Sequence, residues 1–183
     1  VQCDKTSPEE VKNPAQEKIS DSLKKVEEKE KEISYHAEII NHQDSALSVF
    51  QKKYSEEEIH NILAINRLDV KNRWRADTLV VPDKMEKDFN AYSPFPRNIS
   101  LAKDIHKLAL FSYPIHAYAL YENGNLIKWG PTSMGKKSSP TKTGLGFTNW
   151  KKKIAISTSN SEWKLRWNFN VFNFHGIGWH QYD

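Results

Sequence analysis

The sequence predicts an α+β protein in which an N-terminal charged helix and a small helix/strand unit precede a mainly antiparallel β-domain. Three observations lead to this prediction. Lysine and glutamate alternate through residues 20–44, apolar residues recur at helical spacing after residue 55, and from residue 101 the apolar residues follow a period of two. The 183 residues suffice for one domain, or for a small domain with a short appendage.

Residues 1–44 are predicted to be a charged tail and helical stem. They carry 7 Lys/Arg against 11 Asp/Glu. Ser20 or Asp21 is a suitable N-cap, and Lys/Glu pairs four residues apart would stabilise a helix by about 0.2–0.5 kcal/mol each. The apolar positions are sparse and leave a narrow stripe. A spacer or partner helix and an unpacked linker are therefore both open readings.

Residues 45–84 are predicted to form a compact unit. Ser55 and Glu58 have the spacing of a capping box. Ile59, Ile62, Leu63 and Ile65 then share one helical face. The helix is expected to end at Asn66 to Asp69, and "DTLVVPD" is a short strand stopped by Pro82.

The sequence "ILAINRLD" followed by "ADTLVVPD" resembles the second helix and last strand of a LysM module, a small peptidoglycan-binding fold. The resemblance covers about thirty residues, and it implies a first strand and a first helix before residue 50. Ala76-Asp77 stands where modules of this family have Gly-Asp. A small docking subdomain is the alternative interpretation of the unit.

Residues 85–100 contain Pro94 and Pro96, which favour an extended linker or strand entry. Residues 101–183 are predicted to be strands joined by turns. The sequence "ENGN" is typical of a tight hairpin, because Asn-Gly tolerates the positive φ angles that such a turn requires. "KKKIAIS" and "EWKLRWNFNVFNF" continue the strand pattern across the turn "TSNSE". The apolar alternation could supply a two-layer core.

The segments "LYENGNLI", "KWGPTSMG" and "SSPTKTGLG" follow one another in the β-domain. In this order and spacing they resemble the start of an L,D-transpeptidase catalytic domain of the YkuD type, which would be incomplete here. The resemblance implies a Ser-x-Gly turn and a Pro-Thr-x-x-Gly segment at the substrate. It thereby assigns substrate binding to Gly135, Pro140, Thr141 and Gly144.

The closing stretch "FNFHGIGWHQYD" resembles the strand that leads to the catalytic histidine of the same family. His180 fits the variant in which a Gly-apolar strand runs into the histidine, and His175, followed by Gly176, fits the His-Gly variant. His180 is preferred, because an extended "GIGWH" places Ile177 and Trp179 on one face and His180 on the other. Trp179 is expected beside the substrate.

The resemblance implies a cysteine acyl-enzyme acting on peptidoglycan stem peptides, in a periplasmic or cell-envelope location and without metal or organic cofactor. A histidine would take the thiol proton, and backbone N–H groups would hold the oxyanion. The sequence has one cysteine, Cys3, and lacks the family's Ser/Thr-His-Gly-Cys segment. We therefore expect either a fragment of the enzyme or a non-catalytic peptidoglycan-binding envelope protein, and in both cases no transpeptidase activity from these 183 residues.

Four other interpretations of the sequence concern ligands and attachment. His175, His180 and Asp183 suggest zinc, but residues five apart on a strand point to opposite faces, so no metal site is expected. Nucleic acid is not expected, although residues 101–183 carry 11 Lys/Arg against 4 Asp/Glu. Cys3 is either an incidental thiol or a lipidated anchor to a membrane. A sugar-stacking platform or a core could be formed by Trp163, Trp167, Phe169, Phe172, Phe174 and Trp179.

Overall fold

A computed structural model of the chain describes residues 32–40, 44–73, 76–158, 160–172 and 177–181. The chain divides into two compact units, Val1–Tyr92 and Ser93–Asp183. Two α-helices lie in the described part of the first unit, and three separate antiparallel sheets contain all eight strands that the structure describes. The architecture is therefore α+β and mainly antiparallel β, as predicted.

The first unit has the order strand, helix, helix, strand. β1 (Tyr35–Ile39) is followed by α1 (Asp44–Lys53), α2 (Glu56–Ile65) and β2 (Thr78–Pro82). β1 and β2 pair antiparallel, with Tyr35 opposite Pro82 and Ile39 opposite Thr78. One cluster of buried hydrophobic side chains in the unit is formed by Ile40, Phe50, Ile62, Leu79 and Val81.

The predicted start of α2 is confirmed. The backbone N–H of Ser55 donates to a Glu58 carboxylate oxygen at 2.8 Å, and the backbone N–H of Glu58 donates to the Ser55 hydroxyl at 3.3 Å. This reciprocal pair satisfies two N–H groups that the first turn leaves without a helical partner. The helix ends at Ile65 with Asn66 as its C-cap, also as predicted.

The helical stem predicted to extend to residue 44 is wrong over residues 35–39, which form β1. Residues 1–31 lie outside the described part of the chain. β1 belongs to the first unit because it pairs along its whole length with β2, so this unit begins before the predicted boundary at residue 45. Local charge alternation favoured a helix here, but the hydrogen bonds that β2 offers override a weak local preference.

The second unit begins with a three-stranded meander. β3 (Lys107–Ser112), β4 (Ala117–Glu122) and β5 (Asn125–Pro131) pair in that order. The predicted hairpin is confirmed, since Asn123 and Gly124 at its tip have φ angles of 46° and 76°. Such a turn matches the twist of the strands it joins. The predicted alternation places the side chains of Ala117, Ala119 and Tyr121 in the interior.

Residues 93–99 were predicted as part of a linker, but they bind to this hairpin. The Tyr121 hydroxyl donates to the Pro96 carbonyl at 2.8 Å, and the Leu126 N–H donates to the Arg97 carbonyl at 2.8 Å. The Ile99 N–H also donates to the Gly124 carbonyl. The proline-rich segment is not extended throughout, because Phe89–Tyr92 form a 3₁₀ turn and the Phe95 N–H donates to the Ser93 hydroxyl at 3.1 Å in a bend. Backbone groups of residues 96–99 are satisfied by the hairpin edge.

The described part of this unit also contains the second sheet, which has three strands and is the third sheet of the chain. β6 (Phe147–Ile156), β7 (Lys164–Phe172) and β8 (Gly178–Gln181) are antiparallel in sequence order. The strand, turn and strand predicted here are confirmed. The expected two-layer core is not formed by this sheet within the described residues. Its large apolar side chains are mostly exposed, among them Phe147, Trp150, Ile154, Ile156 and Trp167.

Candidate functional site

A tyrosine hydroxyl holds together two of the segments on which the transpeptidase resemblance rests. The Tyr113 hydroxyl donates to the Gly135 carbonyl at 2.8 Å and accepts the Thr141 N–H at 2.7 Å. The Thr141 hydroxyl in turn accepts the Gly135 N–H at 2.9 Å. Gly135 and Thr141, both predicted as substrate-binding residues, are therefore neighbours in one loop that spans residues 132–146.

Gly135 is required at its position by the close approach of the backbone. A Cβ atom there would lie 2.2 Å from the Ser139 carbonyl oxygen and 2.6 Å from the Thr141 nitrogen, so any side chain would clash. Pro140 and Gly144 are exposed in the same loop, and Gly144 has a φ of 133°, which favours glycine. All four predicted loop residues thus lie within one connection between β5 and β6.

His116 is a residue beside this loop that the sequence did not single out. It is exposed in the turn before β4, with a φ of 50°, and its ring lies edge-on to the Tyr113 ring at 6.2 Å between centroids. The His116 carbonyl accepts the N–H of Thr132, where the loop begins. Positive φ at a histidine is uncommon and has no local sequence signature here.

His180, the preferred catalytic histidine, lies on β8 and is exposed. The neighbours Ile177 and Trp179 are half-buried, which is the alternation that an extended strand imposes. The His180 Nδ1 lies 2.9 Å from the carbonyl oxygen of Gln181. Because a carbonyl only accepts, Nδ1 carries the hydrogen in this contact, and Nε2 is the basic nitrogen of the neutral ring. His175, the alternative histidine, lies outside the described residues.

A β-bulge in β7 faces His180. Arg166 pairs with Gln181 and Phe169 with Trp179, so Trp167 and Asn168 together oppose the single residue His180. Trp167 has a φ of 49°, a conformation that costs a bulky residue about 1–3 kcal/mol. Bulges are frequent beside active sites, where they redirect a side chain.

Asn168 is buried at this bulge, and its Oδ1 has no hydrogen-bond partner within the described residues. A Cβ atom at Gly178 of β8 would lie 2.8 Å from that oxygen, so glycine makes room for the amide. An unsatisfied buried acceptor costs about 1–3 kcal/mol. No sequence pattern predicted Asn168, because its burial follows from the packing of β7 against β8.

The aromatic residues of the second sheet divide into two groups. The half-buried Phe169 and Trp179 rings are parallel, 4.2 Å apart at 8°, and Trp179 also contacts Phe111 of β3 at 5.7 Å between centroids. Trp163 and Trp167 are 61% and 55% exposed. Trp179 therefore packs within the unit, whereas two of the predicted platform rings face outwards. Phe174 and the Phe172 side chain lie outside the described part.

A groove on the second sheet has a volume of about 350 Å³ and is lined by Lys151, Lys152, Lys153, Trp167 and Phe169. The Lys153 Nζ lies 5.7 Å from the centroid of the Trp167 ring. Outside the groove lining, Trp150 is 41% exposed and lies 5.3 Å from the Lys152 Nζ. A cation over an aromatic face is attractive at about 0.5–1 kcal/mol on an exposed surface. The groove is therefore basic and aromatic together.

The first unit has a much smaller hollow, of about 40 Å³, between its helices and the segment that precedes β2. Its lining is mostly apolar and consists of Ile40, Phe50, Gln51, Ile59, Leu63, Val70, Arg73 and Leu79. Val70 is 54% exposed and so forms part of the rim.

Within the described ranges, no three His, Cys, Asp or Glu side chains are grouped closely enough to bind a metal ion. Asp183 and Cys3 lie outside those ranges. Neither of the two described helices has the length and apolar composition needed to cross a bilayer. Comparison of the chain with protein-family models, curated proteins and solved structures finds no match in any of the three.

Proposed function

We propose that this chain is a peptidoglycan-binding protein of the cell envelope whose first unit is LysM-like. The observation that supports the proposal is the order of strands and helices in that unit, which is strand, helix, helix, strand. β1 and α1 occupy the positions before residue 50 at which the LysM resemblance implies a first strand and helix, and β1 pairs antiparallel with β2. The sequence motif covered only the second helix and the last strand.

The hollow of the first unit is the proposed contact for the glycan strand. Its volume of about 40 Å³ suits a methyl-sized group and not a whole sugar ring. N-acetyl sugars present such a methyl group beside an amide. The apolar lining would bury the methyl group, and the Gln51 side chain offers both a donor and an acceptor to the amide.

A pulldown with insoluble peptidoglycan tests this proposal on the full chain. Val70→Glu places a charge on the rim of the hollow and should reduce the bound fraction by about tenfold, since a charged side chain disfavours the apolar contact. Val49→Glu is the matched control, because Val49 is 65% exposed on α1 and does not line the hollow. Equal binding of both variants, or no binding by the wild-type chain, would exclude the proposal.

The second candidate function is a peptidoglycan L,D-transpeptidase, of which this chain would hold the histidine side. Two observations favour it: the Tyr113 hydroxyl joins Gly135 to Thr141, and His180 is exposed with Nε2 as its basic nitrogen. In that chemistry His180 would take a proton from a cysteine thiol and pass one to the incoming amine. Cys3, the one cysteine of the sequence, lacks the family motif.

Two measurements separate the enzyme from the binding protein. Mass spectrometry after incubation with a carbapenem should show no covalent adduct on the 183-residue chain, and an adduct on Cys3 would contradict the expected inactivity. Imidazole NMR resonances of His180 should shift on addition of a tetrapeptide stem if the second function holds. His60→Gln and His180→Gln variants identify the resonances, and an unmoved His180 signal would remove the second candidate.

A further inference from the structure

We propose that the groove on the second sheet binds an acidic glycan, a chain of pyranose rings that carry carboxylates. The groove is the one lined by Lys151, Lys152, Lys153, Trp167 and Phe169. This inference goes beyond the function proposed above, because the groove belongs to residues 93–183 and requires no glycan binding by the first unit.

The charge of the sheet selects an anionic ligand. The sequences of β6, β7 and β8 contain no acidic residue, and their basic residues are Lys151, Lys152, Lys153, Lys164 and Arg166. Alternate residues of a strand are about 6.6 Å apart, so Lys151 and Lys153 place two ammonium groups along the groove. Carboxylates on successive ring substituents can reach such a pair, and each contact would weaken as salt screens it.

The backbone of β7 turns an aromatic face towards the groove. Trp167 sits in the bulge with a φ of 49° and is 55% exposed. This conformation and this exposure both oppose folding, since a large apolar side chain is more stable when buried. A pyranose ring has an apolar C–H face that can cover the indole, while its polar substituents reach the lysines.

The arrangement of the rings favours a sugar over a nucleic acid strand. Single-stranded nucleic acids stack successive bases on successive open aromatic faces. In this groove one face of the half-buried Phe169 ring is covered by the parallel Trp179 ring at 4.2 Å. The Lys153 Nζ lies over one face of the Trp167 ring, which is 55% exposed, so the opposite indole face is the proposed stacking surface. One stacked ring flanked by ammonium groups fits one acidic sugar of a strand and not a run of bases.

Isothermal titration calorimetry with four probes tests the identity of the ligand. A galacturonic acid hexamer supplies rings with carboxylates, a neutral chitin hexamer supplies rings alone, polyglutamate supplies carboxylates alone, and a deoxythymidine dodecamer supplies bases with phosphates. The galacturonate hexamer should bind about tenfold more tightly than each of the others, with an affinity that falls as salt rises. Equal or tighter binding of the dodecamer would assign the groove to nucleic acid instead.

Two pairs of variants test the location of the site. Trp167→Asn removes the ring but tolerates positive φ, and its control is Trp163→Asn, an exposed tryptophan outside the groove. The second pair is Lys151→Gln/Lys153→Gln, with Lys103→Gln/Lys128→Gln as its charge-matched control, because Lys103 and Lys128 are exposed and lie outside both the groove and its sheet. The groove variants should bind the hexamer about tenfold more weakly than their controls.

The lysine pair decides the question if Trp167→Asn does not fold. Groove variants that bind like their controls, or a wild-type chain that binds none of the four probes, would overturn the inference. The Val70→Glu pulldown reports on the first unit alone, so either proposal can fail while the other stands.

Discussion

At the scale of single residues, Asn66 connects the end of α2 to β2. Its Nδ2 donates to the carbonyls of Ile62 and Val80, each at 2.8 Å, and its Oδ1 accepts the Val80 N–H at 2.8 Å. The amide therefore pairs with Val80 as a neighbouring strand residue would. This contact satisfies backbone groups of β2 on the side away from β1.

Replacement of Asn66 by alanine should destabilise the first unit by about 1–3 kcal/mol, because it leaves these backbone groups without their partners. Urea denaturation followed by circular dichroism measures the change. Asn61→Ala, in α2, is the control. The stability of Asn66→Asp should lie between those of Asn66→Ala and Asn61→Ala, because Asp keeps the acceptor and loses both donors. An Asn66→Ala variant as stable as Asn61→Ala would refute this assignment.

His36 lies between two carboxylates of the first unit. Its Nδ1 is 2.7 Å from an Asp83 oxygen and its Nε2 is 3.4 Å from a Glu38 oxygen. These hydrogen bonds, Asp83 first, raise the pKa of His36. Hydrogen bonds from Ser34 and then His36 lower the pKa of Asp83. Burial raises the pKa of Glu38, but hydrogen bonds led by that of Lys53 outweigh burial and lower it.

The stability of the first unit should therefore pass through a maximum at mildly acidic pH. A raised histidine pKa contributes stability that is complete below its unfolded value of about 6.5 and is lost as pH rises through the folded value. The lowered carboxylate pKa values contribute above about 4 and are lost as pH falls through the folded values. Urea midpoints from pH 3 to 9 measure this dependence.

His36→Asn should remove the loss of stability on the alkaline side of that maximum. His60→Asn, which changes an exposed histidine of α2 outside the network, is the control. A stability difference between wild type and His36→Asn that stays constant from pH 5 to pH 8 would contradict the assignment.

At the scale of elements, the loop of residues 132–146 depends on a contact from outside itself. Tyr113, in the turn after β3, supplies the hydroxyl that binds both Gly135 and Thr141. The loop contains no helix or strand of its own, so these hydrogen bonds and the close approach at Gly135 define its path. A rigid loop is a better binding element than a flexible one, because less entropy is lost on binding.

Tyr113→Phe should loosen this loop and destabilise the second unit by about 1–2 kcal/mol, since it leaves the Gly135 carbonyl and the Thr141 N–H without their partner. Amide exchange at Gly135 and Thr141 should accelerate. Tyr118→Phe is the control, because the Tyr118 hydroxyl makes no hydrogen bond within the described residues. Unchanged exchange in Tyr113→Phe would show that the loop is held by other contacts.

At the scale of the whole molecule, apolar burial is unevenly distributed. Ile62, Leu79 and Val81 of the first unit are at most 1% exposed, and Ala119 of β4 is fully buried. In the β6–β8 sheet, among the residues that the structure describes, the single buried side chain is the polar Asn168. Local stability follows buried apolar contacts, so this sheet should open more readily than the others.

Hydrogen exchange measured on the intact chain should therefore rank the elements. Amides of α2, β2 and β4 should exchange slowly, and amides of β6 should exchange much faster despite their pairing with β7. Addition of the galacturonate hexamer should slow exchange in β6 and β7 and leave β2 unchanged. Protection of β6 equal to that of β4 in the absence of ligand would refute the ranking.

Short sequence patterns, each spanning only a few residues, were sufficient to predict much of the fold. The Ser55–Glu58 capping box, the Asn123-Gly124 turn and the alternation of β4 each depend on neighbours close in the chain, so the sequence alone determined them. The resemblance named Gly135 and Thr141 in two successive segments of the sequence, and the folded chain brings the two residues together in one loop.

The tertiary structure decided the features that join distant residues. β1 formed where a charged helix was expected because β2 pairs with it, and His36 reaches Asp83 across 47 positions. Tyr113 meets Thr141 across 28 positions, and the bulge at Trp167 follows from the register of β7 against β8. Such contacts depend on which strand edges and hydroxyl groups become neighbours after folding. Local propensity does not determine that choice, so only the folded chain revealed the roles of Tyr113 and Asn168. The sequence named Trp167 as a candidate platform or core residue, and the structure decided that it is exposed in a bulge.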